Sequence, residues 1–563
     1  MVRSMLYGEV HMWIGTRFRA NRAGEDYMQV RGASAGRAPA IRSRRHAIWA
    51  CVAVFLCVPA GPGLAQSLDF WPAVFSSSGF TVPVASGILY SHFKVGTAAG
   101  PLNVHHLSVD LSNPTVRAGA GLAHNRLMSD DETVSSMVAR SGAIAGVNGD
   151  FFDIRGSGIP LNIVVRDGEL VRSPTAWVAF AIRKDGRPRI DRFKWTGTVV
   201  LPGTGESHAL AGYNAGLPSD GLMVISDALG YGAPAPEPGM RQTVAELAPA
   251  GSPAAPVRPG KAPGVPGAAT PGLYTVKQVW VQQAFYAPFP AGEILLVGRG
   301  RAANWIRDKV PAGTEVQVNL TTDPDWHELR AAIGGGPVLV QCGRVVNDPH
   351  PPSPGERNVR FPVTALGILK DGRTVILVEV DGRQPHLSIG LTQPQLAAYM
   401  NWLGASEAMA FDSGGSATMV VRLPGRPHPA VVNSPSDGHE RRVANALLFY
   451  SSAVPGPAVR LMLNANQPLQ LLTGETAPLS IIGVDAQGNP VAPPQPVRVT
   501  AQPQLVTVTA AGVVRVGEIA GTGILRAESG GVSGTVALSV VARRAEQPPT
   551  ASATVGAQLP IEP

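Results

Sequence analysis

Cysteine is nearly absent from this chain, which has three among 563 residues. Cys51 and Cys57 lie in an apolar segment near the start, and Cys342 alone follows that segment. No disulfide can form within the downstream part, so its stability has to come from a buried core. The length is sufficient for two or three domains of roughly 100–200 residues each.

Charged residues are also few, at 15% of the chain, and the net charge of +7 is unevenly distributed. Residues 1–48 hold nine arginines against three acidic residues, which accounts for +6 of the net charge. The remainder is nearly neutral and has no basic stripe that could release the counterions of a nucleic acid. Nucleic acid is therefore not expected as a partner.

Long apolar runs are scarce, and the clearest one lies near the N-terminus. Three arginines between residues 42 and 45 precede an apolar run, Ala47 to Ala60, and small residues follow at Gly63 and Ala65. This order is typical of a signal peptide. A membrane-spanning helix needs about 20 apolar residues, and this run is shorter. We expect residues 1–65 to be an N-terminal extension with a signal peptide, and the mature protein to be secreted or periplasmic without an integral membrane span.

Glycine and proline are abundant and divide the rest of the chain. Residues 66–455 are predicted to form the main domain. Within it, residues 233–272 are rich in Pro, Ala and Gly and are predicted to be a mobile surface insertion. Residues 458–543 contain short alternating apolar runs separated by turn signals, which predict a small β-sandwich. Residues 544–563 are expected to be a disordered tail.

Local signals in the main domain predict both strands and helices. Two β-rich runs, Pro362 to Leu369 and Thr374 to Asp381, flank an Asp-Gly hairpin turn. A helix should begin after Thr392, which forms a capping-box pattern with Gln395, and should end at Gly404. Residues 408–411 are predicted to be the next strand. We predict an α+β fold with a mixed or antiparallel sheet and packed helices, followed by the all-β sandwich.

Four polar, glycine-containing segments follow apolar runs and are candidates for a site: Val147 to Phe152, Asp381 to Arg383, Asp412 to Ser416, and Asn433 to Asn445. Glycines free a backbone to direct its amides at an anion. Arg383 and Arg441 offer forked donors for a phosphodiester. The alternatives are a tight turn capped by Asp412 and ordinary surface or ion-pair arginines.

Metal-ligating patterns are weak. His105 and His106 have no partner at metal-ligand spacing, which favours ordinary strand or surface histidines over a zinc site. Asp150 and Asp153 raise the question of a divalent cation such as calcium, but two carboxylates do not make a site. No cofactor is assigned, and the metal requirement is left open.

Taken together, these segments resemble the phosphodiester glycosidase family, whose animal member removes a covering N-acetylglucosamine from mannose 6-phosphate. The residues that carry the resemblance, in order, are Asn148-Gly149-Asp150-Phe151-Phe152, Gly334 to Val340, Thr364-Ala365-Leu366-Gly367, Val380-Asp381-Gly382-Arg383 and Asp412 to Ser416. Asp150 and Ser413 stand where the family usually has glycine, and Val363 stands where it has arginine. The C-terminal region resembles bacterial Ig-like domains.

The resemblance implies hydrolysis of a sugar-1-phosphodiester, such as a glycosyl phosphodiester or phosphoglycan of the cell envelope. The leaving phosphomonoester has a second pKa of about 6 and needs little protonation, so the site should supply cations around the phosphate and one carboxylate near the sugar. Asp412 is the first candidate for that carboxylate and Asp381 the second, with Arg383 and Arg441 as phosphate clamps. The expected positioning and binding groups are Asn148, Gly149, Asp150, Thr364, Gly414, Gly415, Ser416 and Asn445.

Two other functions remain open. A metal-dependent phosphodiesterase would break the phosphorus–oxygen bond and release a sugar phosphate. A non-catalytic protein that binds envelope glycans would retain the scaffold without turnover.

Overall fold

The computed structural model describes residues 74–216, 218–229, 239–250, 271–282, 290, 292–348, 357–509 and 512–542. The predicted signal peptide and C-terminal tail lie outside these residues. Within them, strands dominate: there are thirty-five strands against three α-helices of eight to ten residues. The α+β prediction is correct in having antiparallel sheets with packed helices, but it overestimates the helical part.

The chain builds its main body from two segments. The first contains β1 (Val74–Ala85), β2 (Ile88–Thr97), β3 (Gly100–Asp110), β4 (Val116–Leu122), α1 (Val134–Ser141), β5 (Ala145–Asn148), β6 (Val164–Arg166), β7 (Glu169–Arg172), β8 (Val178–Arg183) and β9 (Pro188–Arg192). Between the two segments lie β10 (Lys194–Val200), β11 (Ser207–Tyr213), β12 (Gly221–Ser226), β13 (Gln242–Pro249), β14 (Gly272–Val281), β15 (Ile294–Arg299), α2 (Arg301–Lys309) and β16 (Glu315–Asp323).

The second body segment contains β17 (Leu329–Gly334), β18 (Val338–Gln341), β19 (Arg344–Val345), β20 (Val363–Leu369), β21 (Thr374–Val380), α3 (Gln393–Trp402), β22 (Ala405–Ala410), β23 (Met419–Val421), β24 (Ala430–Val431) and β25 (Asn445–Ser451). The C-terminal strands are β26 (Ala458–Leu463), β27 (Leu469–Leu472), β28 (Thr476–Pro478), β29 (Ile481–Asp485), β30 (Pro490–Val491), β31 (Arg498–Thr500), β32 (Val506–Val508), β33 (Val513–Val516), β34 (Gly521–Ser529) and β35 (Val532–Val541).

An eight-stranded sheet in the order β1-β2-β3-β21-β20-β22-β18-β19 forms the centre of the body. One face packs against the five-stranded sheet β24-β23-β5-β25-β4, and Leu107, Leu377 and Phe449 belong to the shared core. The other face is covered by α3, where Val378 packs in one cluster with Met400. Alternate residues of each strand therefore face different layers, and both layers are buried.

The local predictions around residues 362–411 are confirmed. The hairpin joins β20 to β21, and α3 begins with the capping box of Thr392 and Gln395. The following strand, β22, begins at Ala405, three residues earlier than predicted. This earlier start follows from its pairing with β20, since Leu369 is opposite Ala405.

The segment between β9 and β17 forms a closed seven-stranded barrel, β10-β11-β12-β15-β13-β14-β16, which the sequence did not predict. Part of the predicted mobile insertion, 233–272, is instead a barrel strand. Residues 242–249 form β13 and pair with both β14 and β15, with Val244 and Leu247 fully buried. The expectation of a mobile segment is wrong for these residues, because Ala245 and Leu247 pack in one buried cluster with the other barrel strands and Val244 packs in a second buried cluster. Residues 251–270 lie outside the described part.

The C-terminal strands form an all-β unit of three small sheets. The predicted turn at residues 486–489 joins β29 to β30, and Gly530 and Gly531 join β34 to β35. Asp485 orders the first turn by accepting hydrogen bonds from the amides of Gln487 and Asn489. The Ig-like assignment stays a prediction.

Candidate active site

Asp381 follows the last residue of β21 and lies at the centre of a polar cluster. Its carboxylate is fully buried. Oδ2 accepts a hydrogen bond from Nδ2 of Asn103 at 2.7 Å, and Oδ1 accepts one from the amide of Ser434 at 2.8 Å and another from Nδ2 of Asn433 at 3.3 Å. Three N–H donors hold this side chain in one position.

Strand pairing brings further polar groups beside Asp381. His92 on β2 is opposite His105 on β3, His105 is opposite Glu379 on β21, and Glu379 is opposite Thr364 on β20. These four buried side chains form a polar row across the sheet. They lie on the same face as the apolar residues of the shared core, since strand residues two apart face the same way.

Of the four side chains in the polar row, Glu379 is the one whose burial is least favourable in free energy. It is fully buried, and neither carboxylate oxygen has a hydrogen-bond partner among the described residues. Asn433 and Asp381 lie close enough to shift the pKa of Glu379, but neither reaches hydrogen-bond geometry with its carboxylate. Burial, with the charge of Asp381 second, raises the pKa of Glu379 well above its usual range. His105 Nε2 lies 3.7 Å from Oδ2 of Asp381.

Thr364, at the other end of the polar row, is linked to Asp412 through Asn148. The Thr364 hydroxyl donates to Oδ1 of Asn148 at 2.8 Å, and Nδ2 of Asn148 donates to the carbonyl oxygen of Asp412 at 2.7 Å. Thr364 and Asn148 are fully buried, so their hydrogen bonds are made inside the protein. Their arrangement suits residues that position the Asp412 backbone.

The Asp412 side chain is half-buried, unlike that of Asp381. Its Oδ1 accepts a hydrogen bond from the amide of Ser413 at 2.9 Å. Burial raises the pKa of Asp412 to about 6, although the Ser416 hydroxyl, the Ser413 amide and the charge of Arg441 lower it in part. A carboxylate with this pKa is mostly ionised at neutral pH and can still exchange a proton, which suits a group that acts in hydrolysis.

Two guanidinium groups lie over the glycines that follow Asp412. Gly414 has a φ of +70°, and a Cβ there would be 3.4 Å from the guanidinium nitrogens of Arg383. A Cβ at Gly415 would collide with Arg441 and its partner Asp437. Glycine is therefore favoured at position 414 by its positive φ, and a side chain at position 415 would displace Arg441 and Asp437. The sequence segments that contain Asp412, Arg383 and Arg441 are thus brought together.

The two arginines differ in availability. Arg441 donates from Nε to Asp437 Oδ2 at 2.9 Å and from one terminal nitrogen to the Ser416 hydroxyl at 3.3 Å. Arg383 is exposed and has a φ of +58°, which is rare for a residue with a side chain. Arg383 is therefore the better placed of the two to bind an incoming anion.

Three other predicted binding residues, Gly149, Asp150 and Asn445, are buried. Asp150 is buried, its amide donates to Oδ1 of Asn445 at 2.8 Å, and its Oδ2 accepts from the amide of Asn162 at 2.7 Å. Burial raises the pKa of Asp150 to about 7, and Asp412 adds to that rise. A Cβ at Gly149 would collide with Ile333 and Asn445, so Gly149 is needed for packing.

Asp150 and Asp153, the pair considered for calcium, have different environments. The carboxylate of Asp150 is buried, whereas Asp153 is exposed and its Oδ2 accepts hydrogen bonds from the amide and hydroxyl of Ser157. Asp153 thereby stabilises its own loop. Calcium binding by this pair remains an untested expectation.

Sequence reasoning missed the contributions of Asn103, His105 and Glu379. Asn103 and His105 are two residues apart on β3, and Glu379 and Asp381 are two residues apart at the end of β21. Acidic residues at alternate positions of an otherwise apolar strand were the signal that could have identified the acidic pair, because both face the same buried layer.

The candidate site lies in the part of the chain that is similar to a known protein family. Residues 288–450 match the family model of the phosphodiester glycosidases. Asp381, Arg383, Asp412 and Arg441 all lie in this range. A comparison with curated protein sequences gave no match.

Two solved structures, from Burkholderia pseudomallei and Synechocystis, share the fold. A Burkholderia pseudomallei protein described as exported is 21% identical with a TM-score of 0.54, over 70% of this chain and 99% of that one. A hypothetical protein from Synechocystis is 18% identical with a TM-score of 0.51, over 65% of this chain and 62% of that one. The catalytic domain of zebrafish N-acetylglucosamine-1-phosphodiester alpha-N-acetylglucosaminidase, auto-inhibited by its pro-peptide, is 16% identical with a TM-score of 0.33, over 69% and 93%. Among the described residues, no helix is long and apolar enough to cross a membrane.

Proposed function

We propose that this protein is an exported glycosidase that hydrolyses a sugar-1-phosphodiester to the free sugar and a phosphomonoester. The observation that carries the proposal is the half-buried carboxylate of Asp412, on which the charge of Arg441 acts, with the guanidinium group of Arg383 over the nearby Gly414. These groups lie in the range that matches the phosphodiester glycosidase family. Envelope or extracellular glycans are the proposed source of the substrate.

Because of the chemistry of the leaving group, cations around the phosphate should contribute more to catalysis than a strong general acid. Breaking the anomeric carbon–oxygen bond releases a phosphomonoester with a second pKa of about 6, so little protonation is needed. Arg383 can bind the phosphate with two parallel hydrogen bonds. Arg441 is partly engaged by Asp437, so it acts through its charge and its contact with Ser416.

Asp412 is the proposed catalytic carboxylate. In its ionised form it can stabilise positive charge at the anomeric carbon, attack that carbon, or activate a water molecule. Asn148 and Thr364 hold its backbone in place through two successive hydrogen bonds. Asp381 is fully buried and is assigned a positioning role.

Export is supported by two observations. The N-terminal sequence follows the order of a signal peptide. The structurally similar Burkholderia protein is described as exported. Fractionation of the native host, with detection of the protein outside the cytoplasm, would test this part of the proposal.

The catalytic proposal is tested by the position of bond cleavage. The protein is incubated with an N-acetylglucosamine-1-phospho-sugar diester in ¹⁸O-labelled water, and the products are analysed by mass spectrometry. We expect free N-acetylglucosamine labelled at the anomeric hydroxyl and, as the diagnostic product, an unlabelled phosphomonoester. Label in a phosphate, with N-acetylglucosamine 1-phosphate as product, would instead establish a phosphodiesterase. Saturable binding of the diester without turnover would favour the glycan-binding function.

A further inference from the structure

We propose that His105, Glu379 and Asp381 bind a divalent transition-metal ion. One ring nitrogen and two carboxylate oxygens from these residues lie within 4.8 Å of one another, and all three residues are buried. Two ligands at about 2.0–2.2 Å from one ion lie at most about 4.4 Å apart. The 3.7 Å between His105 Nε2 and Asp381 Oδ2 meets this limit, and binding would draw the three ligands slightly closer together. The proposal concerns binding and does not depend on which bond of a phosphodiester is cleaved.

Glu379 supplies the first independent argument for a ligand. Neither of its oxygens has a hydrogen-bond partner among the described residues, although its side chain is fully buried. A buried carboxylate without partners is strongly unfavourable in free energy. No lysine or arginine is among the principal groups that act on it. A bound cation would satisfy both its charge and its oxygen lone pairs.

The hydrogen bonds around His105 supply the second argument, and they begin at Asn103. The Asn103 NH₂ group donates to Asp381 Oδ2 at 2.7 Å, while the Asn103 carbonyl oxygen lies 2.6 Å from Nε2 of His92. The Asn103 amide nitrogen lies 3.1 Å from His105 Nε2, which therefore has to accept as well.

His105 consequently carries its proton on Nδ1, which lies 2.8 Å from the hydroxyl of Tyr90. Its Nε2 lies 3.7 Å from the Asp381 carboxylate oxygen, and a bound ion would take the place of the Asn103 hydrogen bond at this nitrogen. Metal-ligating histidines typically donate their second ring N–H to a neighbouring oxygen, which fixes the tautomer and the ring orientation. Tyr90 provides such a partner for His105.

The donor types select the class of ion. Imidazole suits zinc and other transition metals, while calcium and magnesium prefer all-oxygen sites. One imidazole and two carboxylates therefore favour zinc or manganese. The two negative charges would balance the double positive charge of the ion, and Asn103, Asn433 and the Ser434 amide would hold Asp381 in orientation.

Metal analysis of the purified full chain tests the proposal. The protein is stripped with a chelator, and Zn²⁺ or Mn²⁺ is then titrated while heat of binding is measured. We expect about one equivalent of ion per chain. Glu379→Gln and His105→Gln should each weaken binding at least on the order of tenfold. Glu328→Gln, at an exposed glutamate paired with Arg183, is the matched control and should bind like the unmodified protein.

Substitution of a buried residue can prevent folding, so a second measurement uses no variant. It is X-ray absorption at the zinc edge of the unmodified protein. We expect one imidazole and oxygen ligands at about 2.0–2.2 Å. Absence of saturable binding, a zinc shell without imidazole, or equal affinity in folded Glu379→Gln and His105→Gln variants would overturn the proposal and leave a shared proton as the occupant of the cluster. Failure of glycosidase turnover alone would affect only the proposed function.

Discussion

At the scale of single residues, Asp412 combines partial exposure with a pKa raised to about 6. We expect Asp412→Asn to lower kcat by roughly 10²–10⁴-fold, the range for loss of a positioned acid or base. The rate of release of free sugar measures this effect. Asp308→Asn, at an exposed position on α2, is the control for a surface carboxylate. Unchanged turnover in Asp412→Asn would remove Asp412 from the mechanism.

Arg441 should set the pH dependence of the same carboxylate. A folded-state pKa of about 6 means that the ionised form is lost as the pH falls through 6, so kcat/KM should fall on that side. Arg441 lowers the pKa of Asp412, and its removal should therefore move the acid limb of the profile to higher pH. A pH profile of Arg441→Gln measures the shift, and an unmoved or lower limb would contradict it.

Removal of Arg383 should weaken substrate binding without changing the pH at which kcat/KM falls on the acid side. Arg383 is exposed, and it is not among the principal groups that shift the pKa of Asp412. Loss of a charged hydrogen bond of about 1.5–3 kcal/mol predicts a roughly 10–150-fold loss in kcat/KM for Arg383→Gln. Arg383→Lys, which keeps the charge without the fork, should recover part of the loss. Steady-state kinetics at several pH values separates this effect from that of Arg441.

At the scale of elements, α3 shows how local signals stabilise the layer outside the eight-stranded sheet. Thr392 and Gln395 form both hydrogen bonds of the capping box. Thr392→Ala should lower the free energy of unfolding by about 1 kcal/mol, and Thr392→Ser should retain most of it. Denaturant unfolding measures both variants. Equal stability of the alanine and serine variants would show that the cap contributes little beside the packing of α3.

The same scale explains what could and could not be predicted from the sequence. The β20–β21 hairpin and α3 were predictable because their turn and capping residues lie within a few positions of each other. The contact between Asn103 and Asp381 spans 278 residues and depends on the pairing of β3 with β21. No local pattern encodes that register. The strand at 242–249 was missed because the proline-rich residues beside it dominate the local composition.

At the scale of the whole molecule, the C-terminal strands and the body share part of one core. Met462, Ile482 and Val484 belong to the same buried cluster as Phe80 and Val82 of β1. The side chain of Asn489 also accepts a hydrogen bond from the amide of Ser86 at 2.8 Å. The C-terminal unit is therefore packed against the body and is not an independent appendage.

This shared core predicts coupled unfolding. Met462→Ala should destabilise the protein by about 2–5 kcal/mol, the usual cost of such a truncation in a core, and should lower the unfolding temperature of the body. Leu471→Ala is the comparison, because Leu471 packs within the C-terminal cluster. Differential scanning calorimetry follows both variants. A body transition that is unchanged in Met462→Ala would contradict the coupling.

The barrel leaves and re-enters the body at neighbouring points, since Lys194 at its first strand is the register partner of Asp323 at its last. If the residues between them were removed, a short turn could join Lys194 to Asp323, because these two residues are already paired. The strands that carry Asp381 and Asp412 do not depend on the barrel for their pairing. In evolutionary terms the barrel has the arrangement of an insertion: its gain or loss would leave the pairing of those strands intact but would change the cover of the body strands that share its core, such as β8 and β17.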